Sequence, residues 1–342
     1  MPSKTMEEFL AESGSYDINN GRMRNTANAK KMTVFVEGEL DEDFYNSYCR
    51  EDLKLVVKSL GNKKRVLERM KSYETSLEKT GSDSYAFFCV DMDYDYAIQF
   101  FEKALKKESL EHFQFVSREN LFYQVFDTEN LRGYNDMESL LFLGSSFKPA
   151  MAKIIKDRDR RELVQRQIQK IAAEMGCFRV ADRLIRDRLG IPEDVSLLCN
   201  RVRDGLNNGM PREKFGVKFL VSWGLLDLNT LESLDMEMVG EQVRMVFGEE
   251  EYAEHLDELI RVAHDIHRIS ERKGFPRQML MRGHDMTEIL ARVVLMNRKV
   301  DRDDDMDDLV KATQLELEGL FMVAASSMMG EIKNYPLGKI LN

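Results

Sequence analysis

Three carboxylates on alternate positions follow a run of apolar residues in the first third of the chain. The run is Tyr85-Ala86-Phe87-Phe88-Cys89-Val90, and the acids are Asp91, Asp93 and Asp95. Such a run predicts a strand that is buried on both faces, and open α/β sheets bind ligands at the carboxyl ends of their strands. Two carboxylates about 4 Å apart repel each other by roughly 4 kcal/mol at an effective dielectric of about 20, and a divalent cation relieves that repulsion. The pattern therefore indicates a site for Mg²⁺ or Mn²⁺, with an ordinary polar loop as the alternative.

A glutamate and a glycine follow two other predicted strands. Glu37 comes directly after an apolar strand over 32–36, and Gly61 comes after a strand candidate over 53–57 that continues through residues 59 and 60. Because parallel strands end at the same edge of a sheet, we expect Glu37 and Asp91 to meet there, within reach of a common divalent ion. Gly61 is expected to let the backbone turn tightly next to a ligand.

Two further groups of polar residues begin predicted helices. Asp136 and Glu138 open a helix after a fourth strand predicted over 112–116. Residues two positions apart on a helix point about 200° away from each other, so we expect at least one of the two in the cleft, with Glu138 favoured by its longer side chain. Lys63 and Lys64 begin the helix after the second strand, where they can meet a phosphate oxygen.

The order of predicted elements indicates two architectures in one chain. Strands alternate with helices up to about residue 147, which predicts an α/β domain with a parallel sheet. The second half predicts an α-helical domain, with helices over 150–175, 178–190, 194–206, 213–225, 236–247, 250–273, 284–298 and 308–330. The expected division is an N-terminal arm over 1–28, the α/β domain over 29–147 and the helical domain over 148–342.

Composition narrows the classes of protein to consider. The 342 residues carry a formal net charge of −10, which argues against a general nucleic-acid coat. Residues 148–212 nevertheless contain fifteen Lys and Arg against nine Asp and Glu. This basic segment suits phosphate binding beside an acidic metal site, and the solvated face of ordinary helices is the alternative. Neither a membrane segment nor a secretory signal is visible, so we expect a cytoplasmic protein.

The ordered set of acids resembles the Toprim domain of topoisomerases, primases and overcoming-lysogenization-defect nucleases. That family has a glutamate after its first strand, a glycine after its second and Asp-x-Asp after its third, and the matching residues are Glu37, Gly61, Asp91 and Asp93. The longer pattern Val36-Glu37-Gly38-Glu39-x-Asp41, Asp91-x-Asp93-Tyr94-Asp95 and Asp136-x-Glu138 is similar to Toprim-like bacterial defence proteins, such as the nuclease subunit of the PARIS anti-phage system. The resemblance covers about residues 32–142.

The resemblance implies a fold, an activity and a set of site residues. The fold is a Toprim-like parallel sheet domain followed by helices, and the activity is metal-dependent phosphodiester cleavage. The catalytic residues would be Glu37, Asp91, Asp93 and Glu138; the ligands of Mg²⁺ or Mn²⁺ would be Glu37, Asp91, Asp93, Asp95 and Asp136; the substrate-binding residues would be Gly61, Lys63 and Lys64.

The same resemblance implies partners and a biological role. We expect a toxic effector of phage defence that an ABC-type ATPase sensor restrains and releases, with a homodimer as the possible active form. RNA is the favoured substrate, and transfer RNA the favoured RNA. Two alternatives stay open: a DNA endonuclease or nickase, and a non-catalytic Toprim-like scaffold that binds a partner.

Overall fold

A computed structural model describes residues 32–48, 55–80, 85–116, 118, 120–192, 195–201, 211–250, 252–298 and 306–336. Within these residues the chain forms two compact units. The first contains the described residues of 1–92, 115–137 and 325–342, and the second those of 93–114 and 138–324. The predicted arm over 1–28 lies outside the described residues, and the predicted domain boundary after residue 147 stays a prediction.

A four-stranded sheet with parallel pairing throughout forms the centre of the first unit. Its strands, in the order β2-β1-β3-β4, are β1 (Met32–Val36), β2 (Leu55–Ser59), β3 (Tyr85–Val90) and β4 (Leu121–Tyr123). The two inner strands consist almost entirely of apolar residues, as expected for strands covered on both faces. Phe35 of β1 and Phe88 of β3 stack with ring centroids 5.2 Å apart, so β1 and β3 share one core. The predicted α/β class with a parallel sheet is confirmed.

Two helices of the first unit connect the strands, and a short hairpin follows β4. Helix α1 (Glu39–Tyr48) packs on β2, and helix α2 (Lys63–Thr80) packs on β3. Strands β5 (Phe126–Asp127) and β6 (Arg132–Gly133) pair antiparallel. Gly133 is required in this hairpin, because a Cβ there would lie 2.2 Å from the carbonyl oxygen of Val125.

The fourth strand is the first element that the sequence predicted wrongly. Residues 112–116 form no strand, and β4 (Leu121–Tyr123) takes the edge position instead. In the second unit, the side chain of Gln99 accepts from the backbone N–H of Gln114 at 2.7 Å and donates to its carbonyl oxygen at 2.6 Å. Phe113 packs edge-on against Tyr96, with ring centroids 5.0 Å apart. Side chains of one helix thus supply the hydrogen-bond partners and packing contacts for a segment whose alternating pattern is typical of a strand.

The second unit is predominantly helical, and its helices were largely predicted. They are α3 (Asp95–Lys106), α4 (Met137–Leu143, whose first residue belongs to the first unit), α5 (Phe147–Met151), α6 (Arg158–Leu189), α7 (Val217–Ser222), α8 (Met236–Phe247), α9 (Leu256–Lys273), α10 (Gly283–Asn297) and α11 (Met306–Ala324). A further short helix, α12 (Met329–Ile332), belongs to the first unit.

Helix α6 is one continuous helix of 32 residues where the sequence predicted two. The expected break lay beside Gly176, which remains helical. A Cβ at Gly176 would lie 1.7 Å from the carbonyl oxygen of Leu280. Gly176 therefore allows the 3₁₀ turn Arg277–Leu280 to approach the helix closely, and it does not end the helix.

The helix predicted over 194–206 is also wrong where that range is described. Residues 195–198 are not helical, and β7 (Cys199–Arg201) pairs antiparallel with β8 (Pro211–Lys214). The carboxylate of Asp182 accepts from the backbone N–H of Leu197 at 2.8 Å and from the hydroxyl of Ser196 at 3.2 Å. These tertiary bonds replace the local bonds that a helix would make. Among the described helices, none is long and apolar enough to cross a membrane.

Candidate active site

Glu37 links the carboxyl ends of three neighbouring strands of the first unit, β2, β1 and β3. Its Oε1 accepts from the backbone N–H of Asp91 at 2.8 Å, directly after β3. Its own carbonyl oxygen accepts from the backbone N–H of Gly61 at 2.7 Å and from the hydroxyl of Ser59 at 3.1 Å, both at the end of β2. The residues predicted from strand ends, Glu37, Gly61 and Asp91, therefore lie together at one edge of the sheet.

Asp91 is held by side chains from two other elements. Gln124, directly after β4, donates from Nε2 to Asp91 Oδ1 at 2.9 Å. Lys63, the first residue of α2, donates from Nζ to the carbonyl oxygen of Asp91 at 2.6 Å and lies 5.4 Å from the ring centroid of Tyr123. The predicted phosphate ligand Lys63 thus bonds to the backbone of a predicted metal ligand, while Lys64 is exposed on the first turn of α2.

Gln124 is a site residue that the sequence reading missed. It is fully buried, and its Oε1 has no hydrogen-bond partner among the described residues. Leaving a buried carbonyl oxygen unpaired costs about 1–3 kcal/mol, which a bound cation or donor would relieve. The available signal was a single amide inside the otherwise apolar stretch of residues 121–126.

Asp136 belongs to the same unit as Glu37 and Asp91. The carbonyl oxygen of the preceding residue, Asn135, accepts from the backbone N–H of Met92 at 2.7 Å. The segment that carries Asp136 therefore runs beside the end of β3. Asp136 itself is buried, which is unusual for a carboxylate without a specific role.

Three of the predicted acids belong to the second unit. Asp93 is exposed, Asp95 is half-buried in the first turn of α3, and Glu138 is half-buried in the first turn of α4. Asp93 and Tyr94 are consecutive residues with left-handed backbone, at φ 47° and 69°. Each such residue costs about 1–2 kcal/mol relative to right-handed backbone, and strain of this kind clusters at functional sites.

The donors of the first unit suit a hard divalent cation. Throughout the described chain, no three Asp, Glu, His or Cys side chains stand together as a metal-binding group. Mg²⁺, however, is usually held by one or two carboxylates together with water and substrate phosphates. Asp91, Asp136 and the unpaired Oε1 of Gln124 are oxygen donors of that type, so the residues fit Mg²⁺ or Mn²⁺.

Comparison with known proteins adds no family assignment. No protein-family model matches the chain, and no curated protein sequence matches it. The functional interpretation therefore depends on the site itself and on the motif resemblance.

Proposed function

We propose that this protein is a metal-dependent nuclease whose catalytic centre is the Toprim-like edge of the parallel sheet. The observation that carries the proposal is the hydrogen bond of 2.8 Å between Glu37 Oε1 and the backbone N–H of Asp91. It joins two acids that are 54 positions apart in the sequence and that the motif resemblance independently pairs.

In the first unit, some residues would hold a cation and another would transfer a proton. The ligands of Mg²⁺ or Mn²⁺ would be Asp91, Asp136 and the amide oxygen of Gln124. The bound cation would neutralise charge on the phosphate and activate the attacking group. Glu37 would act as general base or acid, since its carboxylate is fixed next to Asp91. Lys63 holds the Asp91 backbone through a bond of 2.6 Å and adds a positive charge beside the carboxylates.

Three predicted residues are included in the proposal only because they match the motif. Asp93, Asp95 and Glu138 belong to the second unit, and their roles as metal ligands or catalytic residues remain predictions. The same holds for substrate choice and control. We propose cleavage of RNA, with transfer RNA favoured, by a toxic effector of phage defence that an ATPase partner restrains.

The test is metal-dependent cleavage by the purified chain, alone and with an ATPase encoded beside its gene. Total transfer RNA, ribosomal RNA and plasmid DNA are incubated in parallel with Mg²⁺, Mn²⁺ or EDTA. Cleavage of RNA that needs metal and that Glu37→Gln abolishes supports the proposal. Cleavage of plasmid with intact RNA would instead establish the DNA alternative.

One observation favours the non-catalytic alternative. The Glu37 carboxylate already accepts a backbone N–H, which is what a purely structural acid at a strand end would do. In that case Glu37→Gln would leave every activity of the protein unchanged, including partner binding, because glutamine keeps the accepting oxygen.

A further inference from the structure

A basic pocket lies entirely within the second unit, and the proposed chemistry does not use its cationic residues. We define it by its charged lining residues Asp93, Arg179, Arg183, Arg186, Lys214 and Arg282. The pocket has a volume of about 210 Å³, whereas a single buried water needs about 10–15 Å³. The pocket is therefore large enough for a ligand group.

One face of α6 supplies most of the charge. Arg179, Arg183 and Arg186 recur at helical spacing, so they lie along the same side of the helix. Each pairs with a carboxylate: Arg179 with Asp285, Arg183 with Asp187 at 2.9 Å, and Arg186 with Asp182 at 3.0 Å. These ion pairs fix the arginine side chains and leave little net charge on this wall.

Lys214 and Arg282 provide the unbalanced charge. Both are exposed, at the end of β8 and directly before α10. Within the described residues, neither side chain makes a hydrogen bond or an ion pair. The lining contains five basic and two acidic side chains, and Asp187 and Asp285 pair with two of these arginines. Because Asp93 offsets only one of the two unpaired cations, an anion that enters the pocket meets a positive potential from Lys214 and Arg282.

The concentration of positive charge affects the pKa of a neighbouring group. Burial lowers the pKa of the Arg179 guanidinium, and the nearby Arg282 lowers it further. Two helices, α3 and α10, also begin at the pocket, because Tyr94 and Arg282 are the residues directly before their first turns. Helix N-termini favour anions, although Asp95 and Asp285 in the first turns offset part of that effect.

We propose that the basic pocket binds a phosphate group of a polynucleotide, with Lys214 and Arg282 as its direct ligands. The inference extends the proposed nuclease function by naming a phosphate subsite, and it requires only binding, with no cleavage. The guanidinium of Arg282 can donate two hydrogen bonds to one phosphate group, and the ion-paired arginines of α6 would form the wall beside it. Asp93, on the lining, would disfavour the anion unless a cation accompanied it.

The experiment measures binding of a labelled short RNA to the full chain by fluorescence anisotropy in EDTA, so that cleavage does not interfere. The test variant is Lys214→Ala/Arg282→Ala. The matched control is Arg272→Ala/Lys273→Ala, which removes one exposed Arg and one exposed Lys that lie in the last turn of α9 and are not part of the pocket lining. Thermal unfolding of both variants verifies that they fold.

We expect the test variant to bind RNA at least about tenfold more weakly, as loss of a charge-assisted contact implies. The slope of log affinity against log salt should fall by about 0.7 for each phosphate contact that is lost. The control should stay within about twofold of the unmodified chain. Equal weakening in the two variants, or none in the test variant, overturns the proposal.

Competition distinguishes the sources of phosphate. Displacement of labelled RNA by unlabelled RNA, with little displacement by a mononucleotide or by inorganic phosphate, supports a polynucleotide. Tight binding of the mononucleotide with no binding of RNA overturns the assignment in favour of a free nucleotide. Normal binding with no cleavage under any metal would contradict only the nuclease function, whereas cleavage that the test variant retains in full would contradict only the subsite.

Discussion

Glu37 Oε1 accepts a hydrogen bond of 2.8 Å from the backbone N–H of Asp91, which ties the end of β1 to the end of β3. The bond has a structural consequence, because it fixes the first residue after the central strand. It also has a chemical consequence, because it holds two carboxylates at one edge of the sheet. Substitutions that keep the hydrogen bond and remove the charge separate these two roles.

Glu37→Gln is expected to abolish cleavage while leaving the fold intact. Glutamine retains an oxygen that accepts from Asp91, so the free energy of unfolding should change by less than about 1 kcal/mol. Loss of a general base or metal ligand should lower the rate by about 100-fold or more. Thermal unfolding and a nuclease assay on the same preparation measure both quantities.

Glu42→Gln is the matched control for that substitution. Glu42 Oε2 accepts from the backbone N–H of Ser59 at 2.7 Å, so it has the same kind of bond at the end of the neighbouring strand. It is not among the predicted catalytic acids, and its variant should cleave normally. Unchanged cleavage in both variants would show that the Glu37 carboxylate supports a strand end and has no catalytic role, and equal loss in both would show that the effect is not specific to Glu37.

Gln124→Glu is expected to make stability depend on metal. The substitution places a second carboxyl group in a fully buried position next to Asp91. Two neighbouring carboxylates cannot both ionise without cost, so the variant should lose stability as pH rises from about 5 to 8. Adding Mg²⁺ should raise its melting temperature more than that of the unmodified chain, since a cation relieves the repulsion.

Gln124→Met controls for the loss of the amide. It removes the donor to Asp91 Oδ1, so we expect about 1–3 kcal/mol of destabilisation that does not respond to metal. Identical Mg²⁺ responses in the glutamate variant, the methionine variant and the unmodified chain would exclude a cation at this position.

Gly61→Ala is expected to damage activity beyond its effect on stability. Gly61 has φ +90°, and an added Cβ would make only an ordinary contact of 3.4 Å with Arg65. The cost of about 1–2 kcal/mol therefore comes from the backbone, whose N–H bonds to the carbonyl oxygen of Glu37. Gly190→Ala is the control. Gly190 has φ +67°, and no atom of the described residues lies within 4 Å of an added Cβ, so the substitution causes similar backbone strain at a position distant in sequence. The two variants should unfold alike, and only Gly61→Ala should lose cleavage.

The inner strands and the acids that follow them could be predicted from sequence because the information is local. A continuous apolar run such as 85–90 fits a strand covered on both faces, and the acid directly after it, Asp91, lies at the carboxyl end of the sheet. The same reasoning located Glu37 and Gly61. The prediction of the fourth strand was wrong because β4 has only three residues. The longer alternating segment 112–116 instead hydrogen-bonds to the side chain of Gln99 and packs against the ring of Tyr96.

Other features depended on residues that are distant in sequence. The non-helical segment 195–198 is fixed by Asp182, which no local pattern reveals. Gln124 could not be identified as a neighbour of Asp91 before the position of β4 was known. The role of Gly176 inside α6 likewise depends on a distant residue, because the glycine makes room for the backbone of Leu280. Tertiary contacts, and not local propensity, decide these places.

Glu174→Gln is expected to stabilise the protein at neutral pH. Glu174 is buried, and its Oε2 accepts from the backbone N–H of Leu234 at 2.8 Å. Burial raises the pKa of Glu174 above its ordinary 4.5. Its contribution to stability is therefore complete below the unfolded pKa and decreases as pH rises through the folded pKa. Glutamine, which stays neutral, should raise the melting temperature at pH about 7 and change it little at pH about 4. A uniform shift at both pH values would contradict this assignment.

His284 should report phosphate binding in the basic pocket. Partial burial and the nearby guanidinium of Arg282 lower the pKa of His284 below its ordinary 6.5, although the residue as a whole is exposed. Arg179 and Lys214 lower it further, while Glu288 opposes them. A bound anion would counter the cationic groups, so binding of a short RNA, whose diester charge is constant, should raise the pKa of His284. By linkage, RNA should then bind more tightly as pH falls from about 7.5 to 6.

The measurement is an NMR titration of the histidine ring protons with and without RNA, in EDTA. The chain has only 5 histidines, and His284→Gln identifies the signal and should remove this part of the pH dependence of binding. The substitution leaves the backbone carbonyl of residue 284, which accepts from the hydroxyl of Thr287 at 3.0 Å, in place. A His284 pKa that RNA leaves unchanged, while RNA binds with full affinity, would place the phosphate outside the basic pocket.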